Sequence, residues 1–175
     1  MTTRISVAIL TISNRASAGV YEDRSGPVID ALVHERLGAE VVLTAVIPDD
    51  AEQIAATLLA WCARGDVALV LTTGGTGVAP SDVTPEATRS VLEREVPGLA
   101  EAMRAASMRT TPHAMLSRGV AGIRGRTLIV NLPGSPKAVK ENLETILPAL
   151  PHAVALLAED PGAQDHQAPG SIHAA

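Results

Sequence analysis

The 175-residue chain contains no phenylalanine, one tryptophan (Trp61), one tyrosine (Tyr21) and one cysteine (Cys62). Each shortage excludes something. A single cysteine permits no intrachain disulfide and no multi-cysteine zinc site. Cys62 stands in the apolar pattern LLAWCARG and reads as a small core residue. The chain has almost no aromatic rings to stack on bases, and 14 Lys and Arg face 19 Asp and Glu, a formal net charge of −5. That is the opposite of a nucleic-acid binder's footprint, so no nucleic-acid partner is expected. Long apolar runs are missing too. The first one, within MTTRISVAILTIS, turns polar too early for a signal peptide with its cleavage site and is far too short to span a membrane. No membrane contact is expected, and a cytoplasmic address follows by default.

What remains is aliphatic. Hydrophobic residues make up 46% and charged residues 19%, a globular composition whose core must be built from Val, Ile, Leu and Ala. A buried parallel sheet covered by Ala- and Leu-rich helices reads this way. Apolar runs predict strands over residues 4–12, 39–47, 67–73 and 126–132. Between them lie helical patterns. Residues 27–38 open on proline and close on glycine, and residues 50–65 have Asp50 as N-cap and Gly65 past the end. Residues 84–95 carry Thr84 as cap and Pro85 at the first helical position, and 97–109 follow as another helix. The last helical stretch begins near Pro136, and Pro148 and Pro151 should interrupt it. Residues 13–26 read as a long polar loop and 110–125 as irregular. The alternation predicts an α/β fold of three layers, α/β/α, with a mostly parallel open sheet and helices on both faces. One domain is expected over residues 1–158, with a flexible C-terminal tail over 159–175.

In open α/β sheets ligands sit beyond the carboxyl ends of the strands. Those ends expose Ser13, the run Pro48-Asp49-Asp50, the cluster TTGGTG at 72–77, and Asn131 to Ser135. Nearly every chemically interesting residue falls in these four loops. The glycine cluster lets successive backbone N–H groups converge on an anion. It is neither a Walker loop, since no lysine follows Gly77, nor a dinucleotide fingerprint, and by itself it could be only a tight turn. Asp82, in PSDVT, could serve the turn before the next helix, although Thr84 already fills the cap. Asp50 adjoins its helix as a cap, which leaves Asp49 the better functional candidate. The loop NLPGSPKA at 131–138 could hold an anion at a helix N-terminus or could simply be a β–α turn. The histidines stand singly, without metal-ligand spacing or a triad context. Carboxylates beside a phosphate loop would repel the ligand unless a divalent cation bridges them. Mg²⁺ typically binds one or two carboxylates plus substrate phosphates, as phosphoryl-type transfer requires.

The blocks SNRASAGVYEDRSG, PDD, TTGGTGVAPSDVTPEAT and PHAMLSRGVAGIRGRTLIVNLPGSPKAV, in this order and spacing, resemble the molybdopterin-binding Mog/MoaB family of molybdenum-cofactor biosynthesis, from about residue 4 to residue 158. The likeness is closer to Mog-type and gephyrin G-domain-type members than to MoaB-like ones. The resemblance implies the molybdopterin-binding fold and a molybdopterin adenylyltransferase that uses Mg²⁺, with ATP and molybdopterin as substrates. It also implies a homotrimer and a downstream molybdate-inserting partner of the MoeA type. The alternative within the family is a non-catalytic MoaB-like binding module. By match to the family's motifs, Asp49 and Asp82 would hold Mg²⁺ and position the α-phosphate. Thr73, Gly74, Gly75, Thr76 and Gly77 would form the glycine loop, and Ser13, Asp23, Ser25 and Gly26 would lie near nucleotide. Ser107, Ser117 and Arg118 would lie near the pterin and its phosphate, with Asn131, Pro133, Gly134 and Ser135 closing the site. The resemblance breaks at Ser81, where relatives often carry arginine, so a cation near the triphosphate is either missing or supplied by Arg118, Arg15 or Lys137.

Overall fold

A computed structural model describes residues 4–163. Its sheet has six strands: β1 (Ser6–Ile12), β2 (Glu40–Ile47), β3 (Leu69–Thr73), β4 (Arg94–Glu95), β5 (Ala121–Arg124) and β6 (Thr127–Leu132). The spatial order is β2-β1-β3-β6-β5-β4. The first four run parallel, while β5 pairs antiparallel with β6, and β4 antiparallel with β5. The helices are α1 (Asn14–Ser17), α2 (Ser25–Leu37), α3 (Ala51–Ala63), α4 (Thr84–Val91), α5 (Pro97–Met108), α6 (Pro136–Ile146) and α7 (Leu150–Leu157).

The central strands are buried on both faces, and their alternating side chains feed two cores. Val7, Ile9, Leu69, Leu71, Leu128 and Val130 point into one, roofed by α2, α5, α6 and α7. Ala8, Leu10, Val70 and Ile129 point into the other, beneath α3 and α4, where Trp61 and Cys62 pack at its margin. The expected three-layer α/β architecture is therefore present. Among the described residues no helix is long and apolar enough to cross a membrane.

The differences from the sequence reading are local. The polar loop after β1 contains one helical turn, α1, closed by Ser13, whose Oγ accepts from the Ala16 amide at 3.1 Å. Helix α2 starts at Ser25, two residues before Pro27, because Asp23 Oδ1 accepts from the amides of both Ser25 and Gly26 at 3.0 Å. Asp50 caps α3 as expected, accepting from the Gln53 amide at 2.8 Å. Thr84 is not a cap. It is the first residue of α4, and its hydroxyl donates instead to the Gly74 carbonyl at 2.9 Å. The stretch read as irregular supplies a 3-10 turn (Pro112–Leu116) and strand β5. Gly125, at φ 56°, turns the chain so that Arg124 pairs with Thr127, a hairpin too short to show an alternating pattern. Pro148 and Pro151 do split the last helix, with a 3-10 turn (Leu147–Ala149) between α6 and α7. Of the expected tail, residues 159–163 are described and include a final 3-10 turn (Pro161–Ala163). The remainder of that expectation lies outside the described residues.

Candidate active site

Strand β1 is followed in sequence by β2 on one side, and β3 returns on the other, so the order reverses at the β1/β3 boundary. At such a boundary the loops leave in opposite directions and open a crevice at the carboxyl ends. Gly74 passes directly over the end of β1 at φ 97°, where any Cβ would run into the carbonyl oxygen of Ile12. Gly75, at φ 64°, is closed in from the other side. A Cβ there would strike the Thr84 hydroxyl and lie 3.0 Å from Asp49 Oδ1. Only glycine can thread this gap.

The crevice holds two neighbouring cavities. The first, about 420 Å³, lies between the 75–77 loop with Asp82, the α5 residues Arg104 and Ser107, the 111–117 segment, and one face of α6. The second, about 380 Å³, is bounded by the end of β1 with Ser13, by Tyr21, Asp23, Arg24 and Ser25, and by Thr73 and Gly74. Gly134 and Ser135 belong to both and form their common wall. That wall is tied down from several directions. The Thr73 hydroxyl donates to the Pro133 carbonyl at 2.7 Å, the Ser25 hydroxyl to the Gly134 carbonyl at 2.7 Å, and Ser135 Oγ accepts from the Ala138 amide at 3.2 Å to cap α6.

The sequence-derived residues sort between these compartments. Ser13, Asp23, Ser25, Thr73 and Gly74 border the second cavity. Gly75, Thr76, Gly77, Asp82, Ser107, Ser117 and Pro133 border the first. Gly26, Asp49, Arg118 and Asn131 border neither. Gly26 is buried where α2 begins, and a Cβ on it would collide with the Asp23 carboxylate. Asn131 is 2% exposed and works inside the fold. Its Nδ2 donates to the hydroxyls of Thr72 and Thr88, both at 3.0 Å, and its Oδ1 accepts from the Val120 amide at 3.2 Å.

The two candidate carboxylates flank the glycine loop. Asp49 is fixed by a reciprocal pair with Asn14: its Oδ2 accepts from the Asn14 amide at 2.8 Å, and its own amide donates to Asn14 Oδ1 at 3.0 Å. Its other oxygen faces Gly75. Asp82 closes its own turn by accepting from the Ala79 amide at 2.9 Å, and its Oδ2 lies 2.8 Å from where a Gly77 Cβ would stand. Among the described residues no three His, Cys, Asp or Glu side chains gather at one point. A cage made of protein ligands alone is therefore not available. Two hard carboxylates across a glycine loop that leaves room for phosphate do suit Mg²⁺, which takes few protein ligands and keeps phosphate and water.

Arg118 is committed to the scaffold. Its Nε donates to the Gly77 carbonyl and one terminal nitrogen to the Asp82 carbonyl, both at 2.6 Å, and the other pairs with Glu86. It clasps the two ends of the 77–82 loop, and its guanidinium holds the Glu86 carboxyl below the usual glutamate range. Several lining residues escaped the sequence reading. Arg104, whose Nη1 donates to the Gly119 carbonyl at 2.9 Å, shares a helix face with Ser107, three residues on. Ala138, Glu141 and Asn142 follow the same 3–4 spacing on α6, and Asn142 Nδ2 donates to Ser107 Oγ at 3.0 Å. This periodicity was visible in the sequence, but nothing there said which face meets a ligand.

A family model described as "Probable molybdopterin binding domain" matches residues 8–152. The "Molybdenum cofactor synthesis protein cinnamon" of Drosophila melanogaster is 46% identical over 156 residues, which is 89% of this chain but 26% of that protein, about a quarter of its length. The "Molybdopterin adenylyltransferase" of Helicobacter pylori strain J99 is 44% identical over 154 residues, covering 87% of this chain and 88% of its own. Among solved structures, the molybdopterin biosynthesis enzyme MoaB of Thermus thermophilus superposes with a TM-score of 0.84 at 50% identity, covering 90% of this chain and 98% of its own.

Proposed function

The chain belongs to the molybdopterin-binding domain family of molybdenum-cofactor biosynthesis, and from that premise we propose that it is a molybdopterin adenylyltransferase. The observation that carries the reading is the pair of adjoining cavities that share Gly134 and Ser135 in their lining. Two substrates seated in adjoining cavities can bring a phosphate of one to a phosphorus of the other. The second cavity takes ATP and the first takes the pterin.

In this reading an oxygen of molybdopterin's terminal phosphate attacks the α-phosphorus of ATP. A new P–O bond forms, the bond to the α–β bridging oxygen breaks, and the electron pair leaves with pyrophosphate. The chain's contribution is positioning and charge neutralisation, which is most of what phosphoryl-type transfer asks of a protein. The Gly74 amide donates to the Leu132 carbonyl at 3.3 Å, which leaves the amides of 75–77 as the ones that would meet the phosphates. Asp49, locked by Asn14, and Asp82, held by the Arg118 clasp, would hold Mg²⁺. When bound, that ion offsets charge on the phosphates that both carboxylates would otherwise repel. Ser107 and Ser117 offer hydroxyls to the pterin side, and Ser13 and Ser25 line the nucleotide side. The proposal extends to a cytoplasmic homotrimer that passes adenylylated molybdopterin to a MoeA-type molybdate-inserting protein.

The test combines purified protein, molybdopterin and Mg-ATP, and follows adenylylated pterin and pyrophosphate. Asp49→Asn and Asp82→Asn should each keep the fold and pterin binding while lowering turnover about 100-fold or more, the scale of a lost electrostatic contact at a reacting group. Full activity in both variants would remove the carboxylates from the mechanism. Pterin binding with no product in the unmodified protein would favour a binding module, the reading to which exposed Ser81 points.

A further inference from the structure

A triphosphate seated in the second cavity needs cationic partners, and the structure narrows where they can come from. Arg118 is spent on Gly77, Asp82 and Glu86. Lys137 is 79% exposed, with its Nζ 3.9 Å from Glu141 Oε1 on the far side of the shared wall. Two other cations stand together at the rim of the second cavity. The guanidinium carbons of Arg15 and Arg24 both lie over the Tyr21 ring, 5.3 and 5.8 Å from its centroid. Tyr21 and Arg24 line that cavity, and Arg15 is in α1 beside Ala16, which also lines it.

Neither arginine has a carboxylate partner among the described residues. Asp23, the nearest acid in sequence to Arg24, instead accepts from the Thr11 hydroxyl and the amides of Ser25 and Gly26. Gathering two like charges over one ring is repulsive, and attraction to an exposed ring is a modest counterweight. A polyanion that both guanidiniums reach turns that repulsion into charge-assisted hydrogen bonds.

We propose that Arg15 and Arg24, pre-arranged over Tyr21, bind the β- and γ-phosphates of a nucleoside triphosphate in the second cavity, so that this chain selects triphosphate over monophosphate. The inference rests on the adenylyltransferase reading and adds to it the element that recognises the leaving group. The Tyr21 ring fixes where the two cations stand and so reduces the ordering cost of binding.

The test is calorimetric titration of ATP, pyrophosphate and AMP, each with Mg²⁺, into the unmodified protein and into the Arg15→Gln/Arg24→Gln pair, with thermal melts to confirm folding. Losing two charge-assisted contacts should weaken ATP and pyrophosphate roughly 10-fold or more while AMP changes less than about twofold. Arg15→Lys/Arg24→Lys should recover part of the loss, since charge persists but the planar fork does not. Equal weakening of ATP and AMP, or none for either, would overturn the clamp and leave the adenylyltransferase reading intact. Failure of the unmodified protein to bind any of the three ligands would overturn both.

Discussion

Replacing Asn131 with alanine should damage the fold and leave the chemistry alone, although the residue sits in a motif that resemblance assigns to the site. Its side chain makes three hydrogen bonds at 2% exposure, joining β6 to β3, α4 and the start of β5. Alanine removes all three. The Val120 amide loses its acceptor in a place water does not reach, and the Thr72 and Thr88 hydroxyls lose their common donor. An orphaned buried group costs about 1–3 kcal/mol, and the missing amide leaves a small void as well, so the total should be about 3–5 kcal/mol. In a domain of this size that lowers the melting temperature by roughly 10 °C. The assay is a denaturant or thermal melt alongside ATP affinity and turnover, measured well below the transition. Stability should fall with kcat and KM within about twofold of the unmodified protein. A variant of normal stability that no longer binds ligand would refute the reasoning, because Asn131 would then be touching substrate.

The gap over β1 gives a sharper stability contrast. Gly74→Ala combines a positive φ with a backbone collision at Ile12 and should cost about 3 kcal/mol or more, whereas Gly65→Ala, at φ 76° with nothing within 4 Å, should cost about 1–2 kcal/mol. Urea midpoints at unchanged slope would check it, and equal losses would mean that the 74–75 backbone is free to move aside. The Arg118 clasp predicts a pH dependence. Glu86 has a folded-state pKa below its ordinary value of 4.5, so its contribution is present above that value and is lost as pH falls through the folded pKa. The stability difference between the unmodified protein and Glu86→Gln should therefore be constant near neutrality and vanish in acid. A difference that persists in acid would show that the pair is not what Glu86 contributes.

The layers were legible because they follow from bulk pattern. Short, continuous aliphatic runs such as VAILTI and LIVNL read as strands buried on both faces, and Gly38 and Gly65 end their helices at positive φ. Asp49 and Asp50 were separable for the same reason, since only the residue next to a helix can cap it. What failed to show depended on partners distant in sequence. Thr84 has the identity of a cap, yet its hydroxyl is drawn 10 residues back to the Gly74 carbonyl. Arg118 has the identity of a phosphate ligand, yet its guanidinium is enclosed by carbonyls 36 and 41 residues away. Strands β4 and β5, of two and four residues, are too short to carry a period. Arg104 and Tyr21 acquire meaning only once the cavities beside them exist.

The near-absence of aromatic residues gives the molecule two separate optical reporters. Trp61 lies in the last turn of α3, packed on the core beneath α3 and α4, about 16 Å along the helix from the Asp50 cap. Its emission therefore follows unfolding and stays silent when the crevice fills. Tyr21 stands at the rim of the second cavity with two guanidiniums over its ring. Its absorbance shifts when those cations move onto a ligand, so one unlabelled sample can report occupancy and integrity at once.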